Sequence, residues 1–154
     1  MPDCFSTSCA GVASGTNKAL INIFNPVATP LTRGRIYDTL IGSDDTAADM
    51  AAQFAVHRTT AVGTEAGGFV PNNLDPAGPA SEYDSGLGAF TAQPTETANK
   101  QLLRFSLNQR ATFRWVAAPG SELVMAATQN NGADLKTVAS LATQAYEATI
   151  LFQG

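Results

Sequence analysis

Residues 101–118 read Gln-Leu-Leu-Arg-Phe-Ser-Leu-Asn-Gln-Arg-Ala-Thr-Phe-Arg-Trp-Val-Ala-Ala, and their period decides the fold class. Over Gln101–Asn108, Leu103, Phe105 and Leu107 fall on one side, with Leu102, Arg104, Ser106 and Asn108 on the other. Over Ala111–Ala118, Phe113, Trp115 and Ala117 alternate with Thr112, Arg114 and Val116. Successive side chains of a strand point to opposite faces, so a period of two predicts two strands, each with one face against a core. Ala118-Pro-Gly-Ser121 then signals a turn, and Asn131-Gly132 suits the positive φ of a tight hairpin.

The same texture extends outward. Lys18-Ala-Leu-Ile-Asn-Ile-Phe24 is β-branched and aromatic and stops at Asn25-Pro26; Arg35-Ile-Tyr-Asp-Thr-Leu-Ile41 stops at Gly42-Ser43. Residues 44–54 carry Ala47, Met50, Ala51 and Phe54 at helical spacing, which predicts one helical turn near 46–51 before a strand over 52–60. The segment 134–152 is alanine-rich at first, compatible with a helical start, and ends as a strand in which Tyr146, Ala148, Ile150 and Phe152 alternate with Glu147, Thr149 and Leu151. Roughly seven to nine short strands separated by turn signals predict an all-β fold, an antiparallel β-sandwich or barrel of jelly-roll-like kind. The expected core is Phe54, Val56, Leu103, Phe105, Leu107, Phe113, Trp115, Ile150 and Phe152.

Two segments stand apart. Residues 1–17 are small and polar and read as an extended N-terminal arm, leaving 18–154 as a single domain. Residues 61–99 hold four of the 8 prolines and six of the 13 glycines. A structureless loop of that length is uncommon in a compact domain. It is expected either as a functional surface loop or as a loop hiding short strands near 67–70 and 88–92.

Composition narrows the function. The chain has 154 residues, a net charge of −4 and only 14% charged residues. One domain of this size buries enough surface to fold without a metal or disulfide. The acidic balance disfavours nucleic acid, whose nonspecific binding needs a basic face. No run reaches the apolar length of a membrane span, and the first residues lack a secretory signal, so synthesis and folding in a cytoplasm are expected.

Candidate chemistry is sparse. His57 is the only histidine, and one imidazole cannot build the histidine-rich metal site of jelly-roll enzymes; it falls on the polar side of its strand and reads as a surface residue. Cys4 and Cys9 lack two further zinc ligands and read as free thiols on the arm. Asp44, Asp45 and Asp49 lack the calcium-loop spacing and read as helix-capping acids. Asp75, Glu82 and Asp84 in the long loop are a weaker version of the same cluster. No nucleophile elbow, GxGxxG or GxxxxGK is present. No enzyme activity, no cofactor and no metal are expected. Arg104, Arg110 and Arg114 fall on adjacent candidate strands, and arginine is enriched at protein interfaces. With six arginines against three lysines in the chain, these three are the leading interface candidates.

Residues 18–152 resemble the small all-β structural proteins of tailed-bacteriophage heads. The resemblance rests on Leu107-Asn-Gln-Arg-Ala-Thr-Phe-Arg-Trp-Val-Ala-Ala-Pro-Gly-Ser-Glu-Leu123, on Ile21-Asn-Ile-Phe-Asn-Pro26 through Gly34-Arg-Ile-Tyr-Asp38, and on Val56-His-Arg-Thr-Thr60. It implies a capsid decoration (cement) protein on the outside of the virion, binding the major capsid protein as a dimer or trimer and stabilising contacts between capsid subunits. The arm and the long loop would then add contact area. A receptor- or glycan-binding module of a phage fibre or tail is the alternative, with Phe69, Tyr83 and Phe90 as its aromatic surface. An enzyme on a jelly-roll scaffold is a third class, which fold alone does not exclude.

Overall fold

A computed structural model describes residues 3–13, 15–30, 32–44, 46–65, 68–140 and 144–154. Twelve strands run in chain order: β1 (Cys4–Ala13), β2 (Ala19–Phe24), β3 (Arg35–Ser43), β4 (Ala51–Ala61), β5 (Gly68–Phe69), β6 (Asn72–Asn73), β7 (Asp84–Leu87), β8 (Thr95–Asn108), β9 (Phe113–Val116), β10 (Leu123–Val124), β11 (Gly132–Ser140) and β12 (Ala145–Gln153). They form two antiparallel sheets. In the first the order is β10-β3-β12-β1-β6, with β9 also on β3; in the second it is β5-β7-β2-β11-β4-β8. The all-β sandwich expected from the period-two runs is what the chain adopts, as two packed sheets rather than one closed barrel.

Alternation explains the packing. Phe5, Ile36, Ile41, Tyr146, Ala148, Ile150 and Phe152 point inward from the first sheet. Ile21, Ile23, Ala52, Phe54, Val56, Ala133 and Leu135 meet them from the second. Each fully buried aliphatic or aromatic side chain stabilises the fold by about 1.5–3 kcal/mol. Phe54 from β4 meets Tyr146 from β12 edge-on at 4.9 Å, joining the two sheets.

Three expectations are corrected. The arm expected over 1–17 is instead built into the domain through residues 4–13, because β1 lies between β12 and β6 and Phe5 is 2% exposed; residues 1, 2 and 14 lie outside the described residues. No helix occurs among the described residues. Residues 46–50 are irregular, and 134–140, where a helical start was expected, belong to β11, between β2 and β4; residues 141–143 of that stretch lie outside the described residues. Of the two readings of the long loop, the one with short strands holds: β5 falls within the expected 67–70, and β6, β7 and the start of β8 lie there too, while 88–92 hold only the Thr64–Ala92 bridge. Finally, Leu103, Phe105, Phe113 and Trp115 are only half-buried, whereas Phe54, Val56, Leu107, Ile150 and Phe152 are buried. The reason is position: β8 is the edge of the second sheet, and β9 flanks β3 on the side away from β12. Phe105 stacks on Phe113 with ring centroids 4.0 Å apart, closing the seam between these edges.

Tyr83 locks the opposite end. Its hydroxyl accepts a hydrogen bond from Gly34 N at 2.7 Å and donates to Thr32 O at 3.2 Å, and its ring meets Phe152 edge-on. A Cβ at residue 34 would lie 2.9 Å from Tyr83 Cζ, so glycine is required for this close approach.

Candidate functional site

The two sheets differ in what covers their outer faces. On the second sheet, Asn22, His57, Thr59, Asp134 and Lys136 point away from the core, since Ile21, Ile23, Val56 and Leu135 point into it. Part of the 62–94 segment lies across this face. Thr64 pairs with Ala92, Gln93 Oε1 accepts from Ala19 N at 2.7 Å, and Phe90 is buried. The carboxylate of Glu65 and the ring of Phe90 occupy the space a side chain at Gly86 would need. A polar face of the sheet thereby becomes partly enclosed.

A charged cluster sits there. His57 is directly opposite Asp134 across the β4–β11 ladder, and His57 N donates to Asp134 Oδ1 at 3.3 Å. The β4–β8 register shifts on both sides of His57: it pairs with Gln101, while Thr59 pairs with Glu96. The four intervening residues of β8 bulge away and bring Glu96 beside the histidine. His57 Nδ1 lies 3.7 Å from Glu96 Oε2 and 3.8 Å from Asp134 Oδ1. Lys136 forms an ion pair with Glu96 through Oε1. Asn22 Nδ2 donates to Thr59 Oγ1 at 3.2 Å and to Ala133 O at 3.1 Å beside them.

Burial sets the electrostatics. Asp134 is 1% exposed, and loss of water around its carboxylate, reinforced by Glu96, pushes its pKa up to about 7 against the opposing pull of Lys136 and the His57 N–H. Burial also lowers the pKa of His57 below its ordinary 6.5. Lys136 and Arg104 act the same way, and Glu96 opposes them. The imidazole is therefore mostly neutral at pH 7. His57 Nδ1 and Asp134 Oδ2 are buried and make no hydrogen bond. One ligand atom from each of His57, Glu96 and Asp134 lies within 4.8 Å of the other two, so among the described residues these three are placed to hold a metal ion.

The first sheet has an open outer face. Its outward side chains from β1, β3, β9 and β12 include Ser6, Ser8, Leu40, Arg114, Val116, Glu147, Thr149 and Leu151, all half-buried or exposed. Val116 is 55% exposed. Ser8 and Thr149 hydroxyls pair at 2.9 Å across the β1–β12 ladder. Asp38 is the exception: it is buried beneath Arg114, whose Nε donates to both its oxygens.

Several sequence candidates land elsewhere than expected. Arg114 lies on the open face of the first sheet, but Arg104 is on the second, where it donates to Gln53 Oε1 at 2.7 Å, and Arg110 donates to Ala47 O. The three do not form one patch. Tyr83 and Phe90 are buried and present no aromatic surface, and the side chain of Phe69 lies outside the described residues. His57 is not a surface residue: its side chain is 14% exposed, beside Glu96 of β8 and Asp134 of β11.

The acidic candidates also disperse. Asp49 accepts from Asn108 Nδ2 and caps no helix; Asp45 lies outside the described residues. Asp75 accepts from Ala77 N in a turn, while Glu82 accepts from Thr32. Cys4 and Cys9 are not joined by a disulfide and lie on β1, five residues apart. Sequence reading missed Glu96, Asp134 and Lys136 altogether. The one local signal was Asp134-Leu-Lys136, a charged pair straddling an aliphatic residue within a strand.

Among known proteins, no family model matches this chain and no curated protein matches it.

Proposed function

We propose that this chain is a structural virion protein that binds the outer surface of a tailed-phage capsid and stabilises contacts between major capsid subunits. The observation that carries the reading is the open face of the first sheet, which presents hydroxyls, aliphatic side chains, Glu147 and one arginine held by Asp38. Interface cores are poor in charged residues other than arginine, which is enriched there, and Arg114 is the one basic group named on this face. The resemblance to phage head proteins adds to it: Leu107–Leu123, its longest segment, includes β9, which places Arg114 and Val116 on that face. A face carried on paired strands loses little entropy on docking, and many copies on one shell multiply weak contacts into avidity.

Residues 1–17 no longer serve as a capsid-binding arm in this reading, since β1 belongs to the sheet whose outer face docks. A dimer or trimer on the capsid exterior remains the proposed form. The glycan-binding alternative loses its main support, because Tyr83 and Phe90 are buried. The test is co-sedimentation of the purified chain with empty shells of the major capsid protein encoded in the same genome. Saturable binding supports the proposal. Failure to bind expanded or unexpanded shells overturns it.

A further inference from the structure

We propose that His57 Nδ1, Glu96 Oε2 and the Asp134 carboxylate form a binding site for a divalent transition cation of the zinc class. This inference is independent of the capsid reading. The ligands come from β4, β8 and β11, three neighbouring strands of the second sheet, so their backbones are fixed by ladder hydrogen bonds. The spacings are 3.7 Å from Nδ1 to Glu96 Oε2 and 3.8 Å from Nδ1 to Asp134 Oδ1. Four-coordinate zinc with bonds of 2.0–2.2 Å separates its ligand atoms by about 3.4 Å. The two histidine–carboxylate pairs need a contraction of a few tenths of an ångström, and the two carboxylates, whose ligand atoms lie within 4.8 Å, close around the same point to give three protein ligands with a fourth position open.

Two buried atoms point to a missing partner. His57 Nδ1 and Asp134 Oδ2 make no hydrogen bond, and Asp134 is 1% exposed. Buried polar atoms are normally satisfied, and orphaned ones call for an explanation such as an ion. Lys136 does not block the site. Its ammonium pairs with Glu96 through Oε1 and leaves Oε2 facing the histidine. Lys136 would then orient a ligating carboxylate from outside the coordination sphere, as outer partners of metal ligands commonly do. The donor set, one imidazole nitrogen and two carboxylates, suits zinc or manganese. Calcium takes six or more oxygens and is poorly served by it. The cation would tie Glu96, near the start of β8, to the centre of the sheet.

The experiment uses the full-length chain, freed of metal with a chelator and titrated with zinc sulfate by calorimetry, with cobalt(II) as a spectroscopic substitute. One zinc per folded chain is expected, with a zinc-dependent rise in melting temperature. His57→Gln and Glu96→Gln should each weaken binding roughly tenfold or more while keeping a β-sheet circular dichroism spectrum. They carry the test because Asp134→Asn alters a fully buried group and risks the fold. Cys4→Ser should bind zinc as the wild type does. No binding by the folded wild type at millimolar zinc overturns the proposal. So does unchanged affinity in both His57→Gln and Glu96→Gln, or a thiolate-to-cobalt charge-transfer band, which would place the metal on Cys4 or Cys9.

Discussion

Arg114 Nε lies 3.1 Å from both carboxylate oxygens of Asp38, so an exposed guanidinium on β9 is fixed by a buried carboxylate on β3. Their side chains are 60% and 5% exposed. Removing one partner of such a pair leaves the buried charge uncompensated. Arg114→Met should lower the melting temperature clearly. Arg104→Met should change it little, because Arg104 is exposed and donates to the neutral amide of Gln53. Thermal denaturation of the two variants checks the ranking, and equal losses would contradict it.

The first strand is part of the core. Phe5 is 2% exposed and meets Phe152 with ring centroids 5.5 Å apart. Phe5→Ala should cost about 3–5 kcal/mol in urea denaturation. Deleting residues 1–13 should abolish the cooperative transition. A truncated chain that still melted cooperatively near the wild-type temperature would show that β1 is dispensable.

The two thiols should react unequally. Burial pushes Cys9 up to about 11, so almost none of it is thiolate at neutral pH, and the thiolate is the reactive form. Cys4 is half-buried, on the same strand. Alkylation of the native chain at pH 7.5, read by mass spectrometry, should label Cys4 first and Cys9 only after denaturation. Equal labelling of the native chain would mean that β1 opens readily.

Glu65 should make stability depend on pH. Burial raises its pKa above the ordinary 4.5, Asp84 adds to the rise, and a hydrogen bond from the Leu87 backbone opposes it. A carboxyl with a raised folded pKa gives its full contribution below its unfolded value and loses it as pH rises through the folded value. Glu65→Gln, which keeps the shape without the charge, should therefore gain on the wild type as pH climbs from about 4.5 towards neutrality. Parallel melting curves for the two proteins across that range would contradict this. Asp84, also raised by burial, continues to act in both.

Strands written in aliphatic and aromatic residues were legible from sequence: β2, β3, β4, β12 and the second half of β8 fall where the alternation put them. β1 was not, because its inward positions after Phe5 are Thr7 and Cys9, small side chains that carry little hydrophobic signal. β11 was masked by alanines, which favour helix locally, while its place between two strands overrides that preference. The charged cluster was illegible for a different reason. His57 and Asp134 are 77 residues apart, and Glu96 reaches them only through the β8 bulge. Such a site has register rather than spacing as its signature, and register is invisible in a lone sequence. The seam residues Leu103, Phe105, Phe113 and Trp115 show the limit of periodicity: it names the inward face but not whether the strand lies at an edge.

The central claim is that the open face of the first sheet docks on a capsid. Val116 is 55% exposed there, opposite Asp38 in the β3–β9 ladder, so Val116→Lys adds a bulky cation beside an acid without disturbing the core. The decisive measurement is co-sedimentation of wild type, Val116→Lys and Arg104→Met with empty capsid shells. Saturable binding by the wild type and Arg104→Met, with strong loss in Val116→Lys at unchanged melting temperature, is the predicted result. Equal binding by wild type and Val116→Lys would contradict the assigned face, and no binding by the wild type would contradict the capsid role itself.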